Sequence, residues 1–204
     1  MNDISQLFVT HIYRHEFGSS HSFLSNLERA CRCICEDDKA GKIWSSQHGY
    51  QGYTSYASLN DLTVRDPTFA EMEELINPHV KNYAKVCELD LGRKRLVLDS
   101  LWINILQPGG FHAAHIHPHS VISGTLYIVI PKGASALRFE DPRLGLMMSA
   151  PPRKTNSKKE NSTFVSYQPK RGTLLLWESY LRHEVPLLKS RSERISVSFN
   201  YRWE

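Results

Sequence analysis

Near residue 96 the hydrophobic period of this chain changes, and that change narrows the choice of fold more than any other feature. Upstream, Leu24, Leu27, Cys31, Ile34 and Cys35 recur at helical spacing within Ser22–Asp37. Phe69, Met72, Leu75, Ile76, Val80, Tyr83 and Cys87 do so again, a helix with Pro78 inside it. A proline there predicts a kink or a fresh helix start. From Leu96 onward the period is two. Candidate strands are Leu96–Leu106, Thr125–Ile130, Ala136–Phe139, Phe164–Tyr167, Thr173–Trp177, Glu184–Leu187 and Ile195–Tyr201. Turn signals such as Pro108-Gly109-Gly110, Pro131-Lys132-Gly133 and Lys170-Arg171-Gly172 separate them. Many short strands with frequent turns indicate a sandwich or jelly-roll barrel. The fold class is therefore α+β: N-terminal helices packed outside a mostly antiparallel jelly roll.

A chain of 204 residues suits a single domain, 1–204, with a mainly helical support region over 1–95 and a jelly-roll core over 96–204. With 41% hydrophobic and 23% charged residues the composition excludes disorder, collagen and coiled coil. No apolar run reaches the length of a membrane span, and the opening MNDISQLFVTHIYRHEF shows no basic region followed by an apolar block. A cytoplasmic location with no membrane partner is the expectation. A net charge of +4 is modest. The one basic cluster, Arg153 to Lys159, lies in the long loop Met148–Ser162 without the aromatic or arginine spacing of a nucleic-acid footprint, so no nucleic acid partner is expected. Cys31, Cys33 and Cys35 fall on the first helix, where packing explains them better than a zinc site of C-x2-C type. An exposed edge strand would allow a homodimer.

Four histidines fall within eight residues: His112, His115, His117 and His119. In an extended segment alternate side chains share a face, so His115 and His117 can meet one metal ion through neutral imidazole nitrogens. His119 would join them only if the strand continued past Pro118. A third ligand must come from a distant strand, and His183, just before Glu184-Val185-Pro186, is the best placed. In the last strand Ile195, Val197, Phe199 and Tyr201 take one face; Arg194, Ser196, Ser198 and Asn200 take the other. That polar face meets either solvent or a barrel interior. In the second case an arginine with a hydroxyl two residues on makes a carboxylate grip. Asn104, on the strand that feeds the histidine cluster, either lines the pocket or pairs across its mouth.

These residues form an ordered set: H-x-H-P-x-S-x-x-S-G-x-x-Y (His115 to Tyr127), P-x-x-G-x-L-L-L (Pro169 to Leu176), S-x-x-x-H-x-V-P (Ser179 to Pro186) and R-I-S-x-S-F-N (Arg194 to Asn200). The set resembles a family of 2-oxoglutarate–Fe(II) oxygenases with bacterial and phage members. The resemblance covers Leu98 to the C-terminus closely and Gly52 to Leu91 more loosely. It implies a double-stranded β-helix and an Fe(II)- and 2-oxoglutarate-dependent dioxygenase, a hydroxylase acting on a small-molecule or peptide substrate. By the same resemblance His115, His117 and His183 hold the metal. Arg194 and Ser196, helped by Tyr127, hold the far carboxylate of 2-oxoglutarate. Asn104, Ser123 and Asn200 are candidate pocket residues.

The sequence departs from the widespread H-x-D/E…H pattern by placing His117 at the second position. Asp99, Glu140, Asp141 and Glu184 are the carboxylates that could approach instead. Two alternatives therefore stand beside the oxygenase. One is a cupin-like three-His metalloenzyme that uses no 2-oxoglutarate and binds a substrate carboxylate at Arg194. The other is a non-catalytic binding module on the same barrel.

Overall fold

The computed structural model of the chain describes residues 3–20, 22–143 and 148–204. Its elements run β1 (Tyr13–Glu16), α1 (Ser22–Asp37), α2 (Lys39–Gln47), β2 (Gly52–Thr54), α3 (Leu62–Arg65), α4 (Pro67–Val86), β3 (Leu96–Leu106), β4 (His112–His115), β5 (Ile122–Val129), β6 (Leu137–Glu140), β7 (Phe164–Tyr167), β8 (Thr173–Glu178), β9 (His183–Val185) and β10 (Arg194–Trp203). The strands make two sheets, one of six in the order β1-β8-β5-β10-β3-β2 and one of four in the order β4-β9-β6-β7. Every pairing is antiparallel. The chain is thus α+β. Among the described residues no helix is long and apolar enough to cross a membrane.

The period-two strands sort their side chains onto two faces of the larger sheet. Ile103, Ile105, Ile122, Leu126, Leu174, Leu176, Val197 and Phe199 are buried in one cluster with Leu24, Leu27 and Cys31 of α1 and Phe69, Met72, Ile76 and Val80 of α4. The helices therefore cover the outer face of that sheet. Helix α4 runs unbroken through Pro78, so the fresh start allowed by the sequence does not occur. A mid-helix proline costs about 3 kcal/mol. Met72 and Ile76 before it, and Val80 and Tyr83 after it, are all buried; at about 1.5–3 kcal/mol each, their burial outweighs that cost.

Three strands carry too little pattern to be seen in the sequence. β1 and β2 are four and three residues long, and β4 coincides with the histidine cluster. β5 starts three residues earlier than the candidate strand Thr125–Ile130, because Ser123 and Gly124 interrupt the apolar run. Gly124 instead sits under Phe199, its cross-strand partner. A Cβ there would meet the Phe199 ring at 2.4 Å, so only glycine fits.

Candidate functional site

The inward face of the larger sheet is polar, and strand register arranges it in rows. Ser196 on β10 lies between Asn104 on β3 and Tyr127 on β5; Ser198 lies between Trp102 and Thr125; Asn200 lies between Ser100 and Ser123. This face meets the smaller sheet, not solvent. Arg194, Ser196 and Asn200 are all buried. That settles the two readings of the last strand in favour of an interior. Between the sheets lies a cavity of about 510 Å³ lined by these rows together with His112, His115, His117 and His183.

The three histidines meet because β4 and β9 are antiparallel neighbours with His115 directly opposite His183. Each offers one ring nitrogen, and the three nitrogens lie within 4.8 Å of one another. The hydrogen bonds on the far side of each ring fix which nitrogen is offered. His115 Nδ1 donates to the Ala113 carbonyl at 2.7 Å and His183 Nδ1 to the Leu181 carbonyl at 2.9 Å. His117 Nδ1 donates to Asn200 Oδ1 at 2.7 Å. All three oxygens only accept, so in the neutral imidazole it is Nε2 that carries the lone pair into the cluster. His117 Nε2 and His183 Nε2 stand 3.2 Å apart with no hydrogen for either to share. Two facing lone pairs repel unless a cation lies between them. Neutral imidazoles held in this way by oxygen acceptors are the donor set of a transition-metal site, and the residues fit Fe(II).

Burial reinforces the neutral state. It is the main reason the His183 imidazole is pushed down to about 3 and that of His117 to about 4, with the neighbouring His115 adding to both. His119 takes no part: the chain turns after His117, His119 has φ +67, and its side chain is exposed. The four carboxylates that could have replaced His117 are held elsewhere. Asp99 pairs with Arg202 at 3.0 Å, Glu140 with Arg182 at 2.9 Å, Asp141 with Arg143 at 2.7 Å, and Glu184 with Arg138. Among the described residues the cluster is histidine only.

The rest of the predicted set divides. The Arg194 guanidinium lies over the Tyr127 ring at 4.9 Å, with Ser196 beside them on the cavity wall. Tyr127 Oη and Arg194 Nε are buried without a hydrogen-bond partner, as is Trp177 Nε1. Donors left bare in a cavity wall at a cost of about 1–3 kcal/mol each mark a place for a ligand's acceptors. A carboxylate reaching Arg194 and Tyr127 satisfies two of the three, so 2-oxoglutarate fits this end. Asn104 and Asn200 line the cavity. Ser123 does not, which corrects its place as a pocket residue. Its hydroxyl is fully buried behind the wall, donating to Asn200 Oδ1 at 2.8 Å and paired with Ser179 at 2.8 Å. Thr125 and Tyr127, two and four residues further along the same face of β5, line the cavity; Ser123 stands behind Asn200, to which it bonds.

Sequence reading counts His112 in the histidine cluster and sets the aromatic stretch Tyr50–Tyr56 either at the pocket mouth or in packing, without joining the two. Tyr50 Oη lies 2.8 Å from His112 Nε2 and 3.4 Å from Asn104 Oδ1, and all three line the cavity. Thr54 Oγ1 also donates to Asn104 Oδ1, at 3.1 Å, while Asn104 Nδ2 donates to Ser198 at 3.2 Å. The aromatic stretch Tyr50–Tyr56 is therefore a wall of the site. Its anchor is Asp38, which caps α2 through the Gly41 amide at 2.9 Å and accepts the Tyr53 hydroxyl at 2.9 Å. The Gly-rich, aromatic composition of that stretch was the available signal; it lacked a period.

Residues 100–200 match the model of the family described as "Putative 2OG-Fe(II) oxygenase". No curated protein matches the chain. A prolyl-4-hydroxylase from Pseudomonas putida is similar over 95% of this chain and 93% of its own, at 16% identity and a TM-score of 0.59. EctD from S. alaskensis, solved with 2-oxoglutarate and 5-hydroxyectoine, is similar over 95% of this chain and 72% of its own, at 13% identity and a TM-score of 0.62. HygX from Streptomyces hygroscopicus, solved with nickel and 2-oxoglutarate, is similar over 94% of this chain and 81% of its own, at 15% identity and a TM-score of 0.56. The likeness to these structures is one of fold.

Proposed function

We propose that the chain is an Fe(II)- and 2-oxoglutarate-dependent dioxygenase, a hydroxylase, built on a double-stranded β-helix. The observation that carries this reading is the meeting, in one cavity, of three histidine ring nitrogens with the buried Arg194 Nε and Tyr127 Oη, neither of which has a hydrogen-bond partner that meets ordinary geometry. The family match over the strand core and the neighbours solved with 2-oxoglutarate support it.

His115, His117 and His183 hold the iron. Arg194, with Ser196 and Tyr127, receives the far carboxylate and so orients the 2-oxo acid end toward the histidines. When bound, the iron supplies O2 activation coupled to oxidative decarboxylation of 2-oxoglutarate to succinate and CO2, with the second oxygen atom going to the substrate. The chain's own contribution is orientation and a closed wall. Tyr50 and Asn104 hold each other and His112 across the cavity, and Trp102 and Trp177 exclude water beside His117 and His183.

The histidine-only ligand set favours one second reading, a cupin-like three-His metalloenzyme that binds a substrate carboxylate directly at Arg194. Anaerobic titration of metal-stripped protein with Fe(II), with and without 2-oxoglutarate, separates the two. The oxygenase reading expects a visible charge-transfer band that needs iron and 2-oxoglutarate together, is lost in His183→Ala and is weakened in Arg194→Ala. Tight iron binding with no such band overturns it in favour of the three-His enzyme.

A further inference from the structure

The cavity has two chemically different ends. At one end stands Arg194, buried to 1% exposure. Toward the surface the lining changes to Trp102, Tyr56, Phe111 and Ile116, of which Tyr56 is 61% exposed, Phe111 56% and Ile116 47%. Large apolar side chains left this open around a concave opening are not spent on the core; they form a rim waiting for apolar surface. The rim is also continuous with the metal cluster. The Trp102 ring stacks on His117 with centroids 5.7 Å apart, and Tyr56 meets Trp102 edge-on at 5.2 Å. An aromatic corner thus leads from the ligand His117 out to solvent.

Charge completes the argument. Among the described residues the cavity lining contains no carboxylate and no lysine, and its one permanent cation is Arg194. With the cosubstrate's carboxylate on Arg194, nothing remains to pair with a charge on the substrate. A charged group brought there loses its water without compensation.

We propose that the substrate presents an uncharged, apolar ring to the metal along the wall formed by Trp102 and Tyr56. This rests on the oxygenase reading above, because it assigns Arg194 to the cosubstrate. The ring lies against Trp102 and in the corner made by Tyr56, where offset and edge-on packing with aromatic faces is favourable. Phe111 and Ile116 close over its solvent side.

Three indoles of one ring and different charge test this: indole, indole-3-acetate and tryptamine. Each is titrated by equilibrium dialysis into full-length protein loaded with Zn(II) in place of iron, with and without saturating 2-oxoglutarate, whose own binding is measured separately. With 2-oxoglutarate present, indole binds at least about tenfold more tightly than either charged analogue, the penalty of an unpaired charge in a closed site. Tyr56→Ala, at an exposed rim position that folding tolerates, weakens indole at least about fivefold, as loss of one aromatic contact requires. Trp102→Ala weakens it further. Equal or tighter binding of a charged analogue, no indole binding, or no effect of Tyr56→Ala overturns the inference. If 2-oxoglutarate itself does not bind, the oxygenase reading falls. A persisting preference for indole then keeps the apolar wall, whereas tight indole-3-acetate binding that Arg194→Ala abolishes makes Arg194 the substrate's own anchor and overturns both.

Discussion

The side chain that sets His117 comes from the far end of the last strand. Asn200 Oδ1 accepts from His117 Nδ1 and from Ser123 Oγ, and its Nδ2 donates to Ser100 at 3.1 Å, so the amide cannot turn without breaking bonds on both ends. His115 and His183 are oriented by carbonyls two residues away in their own chain; His117 alone depends on a distant side chain. Asn200→Ala should therefore lower metal affinity about 10–100-fold, the usual cost of losing such a support. Competition against a chromophoric chelator measures it. Unchanged affinity would mean that His117 is oriented by its stacking on Trp102 instead. At this scale the sequence was informative where spacing alone creates proximity, as in H-x-H, and where alternation sorts a strand, as in Arg194 and Ser196. It did not show that Tyr50 and His112 meet, across 62 residues of chain, nor that Ser123 bonds behind Asn200 and not into the cavity.

Between elements, the contact that decides the sheet's packing is the pair Gly124 and Phe199. The Phe199 ring fills the space where a side chain on β5 would stand, and Leu176 of β8 closes it from the other side, 2.6 Å from where a Cβ would lie. Both contacts involve core atoms packed under the helices, so the ring has nowhere to retreat. Gly124→Ala is expected to destabilise by about 1–3 kcal/mol, read from a denaturant midpoint, and the cost should shrink in a Phe199→Leu background where the ring is gone. An undiminished cost would place the problem in the backbone of β5. The same pair explains a limit of the sequence reading. A long run such as Leu96–Leu106 carries its bounds in its pattern and matches the observed strand. β5 does not, because the glycine that interrupts its apolar run is there to receive a neighbour's ring.

Across the whole molecule, the site is closed by parts that the two halves of the chain contribute separately. β1 pairs with β8 and β2 with β3, so strands from the N-terminal region extend both edges of the larger sheet, and β2 brings Thr54 against Asn104. Such closure is invisible to local pattern, since three residues of strand have no period to show. It has a thermodynamic consequence through His112, which Tyr50 and the cavity wall enclose. Burial first, then the nearby Arg194 and His115, push its imidazole down to about 3 from an ordinary value near 6.5. The unfolded chain therefore binds a proton at His112 below about pH 6.5 that the folded chain refuses until about pH 3. Stability is complete above the unfolded value and is lost as the pH falls toward the folded one. At pH 5.5, about one unit below the unfolded value, the loss is about 1.4 kcal/mol for this group, a fall in Tm of about 3 °C for a chain of this size. In metal-stripped protein, where no ion competes with protons, thermal melts at pH 7 and 5.5 should show a drop that is smaller by about that amount in His112→Gln, which keeps a hydrogen-bonding side chain but cannot titrate. An equal drop in both proteins would mean that His112 takes its proton in the folded state, and that Tyr50 and Arg194 do not enclose it as tightly as their positions require.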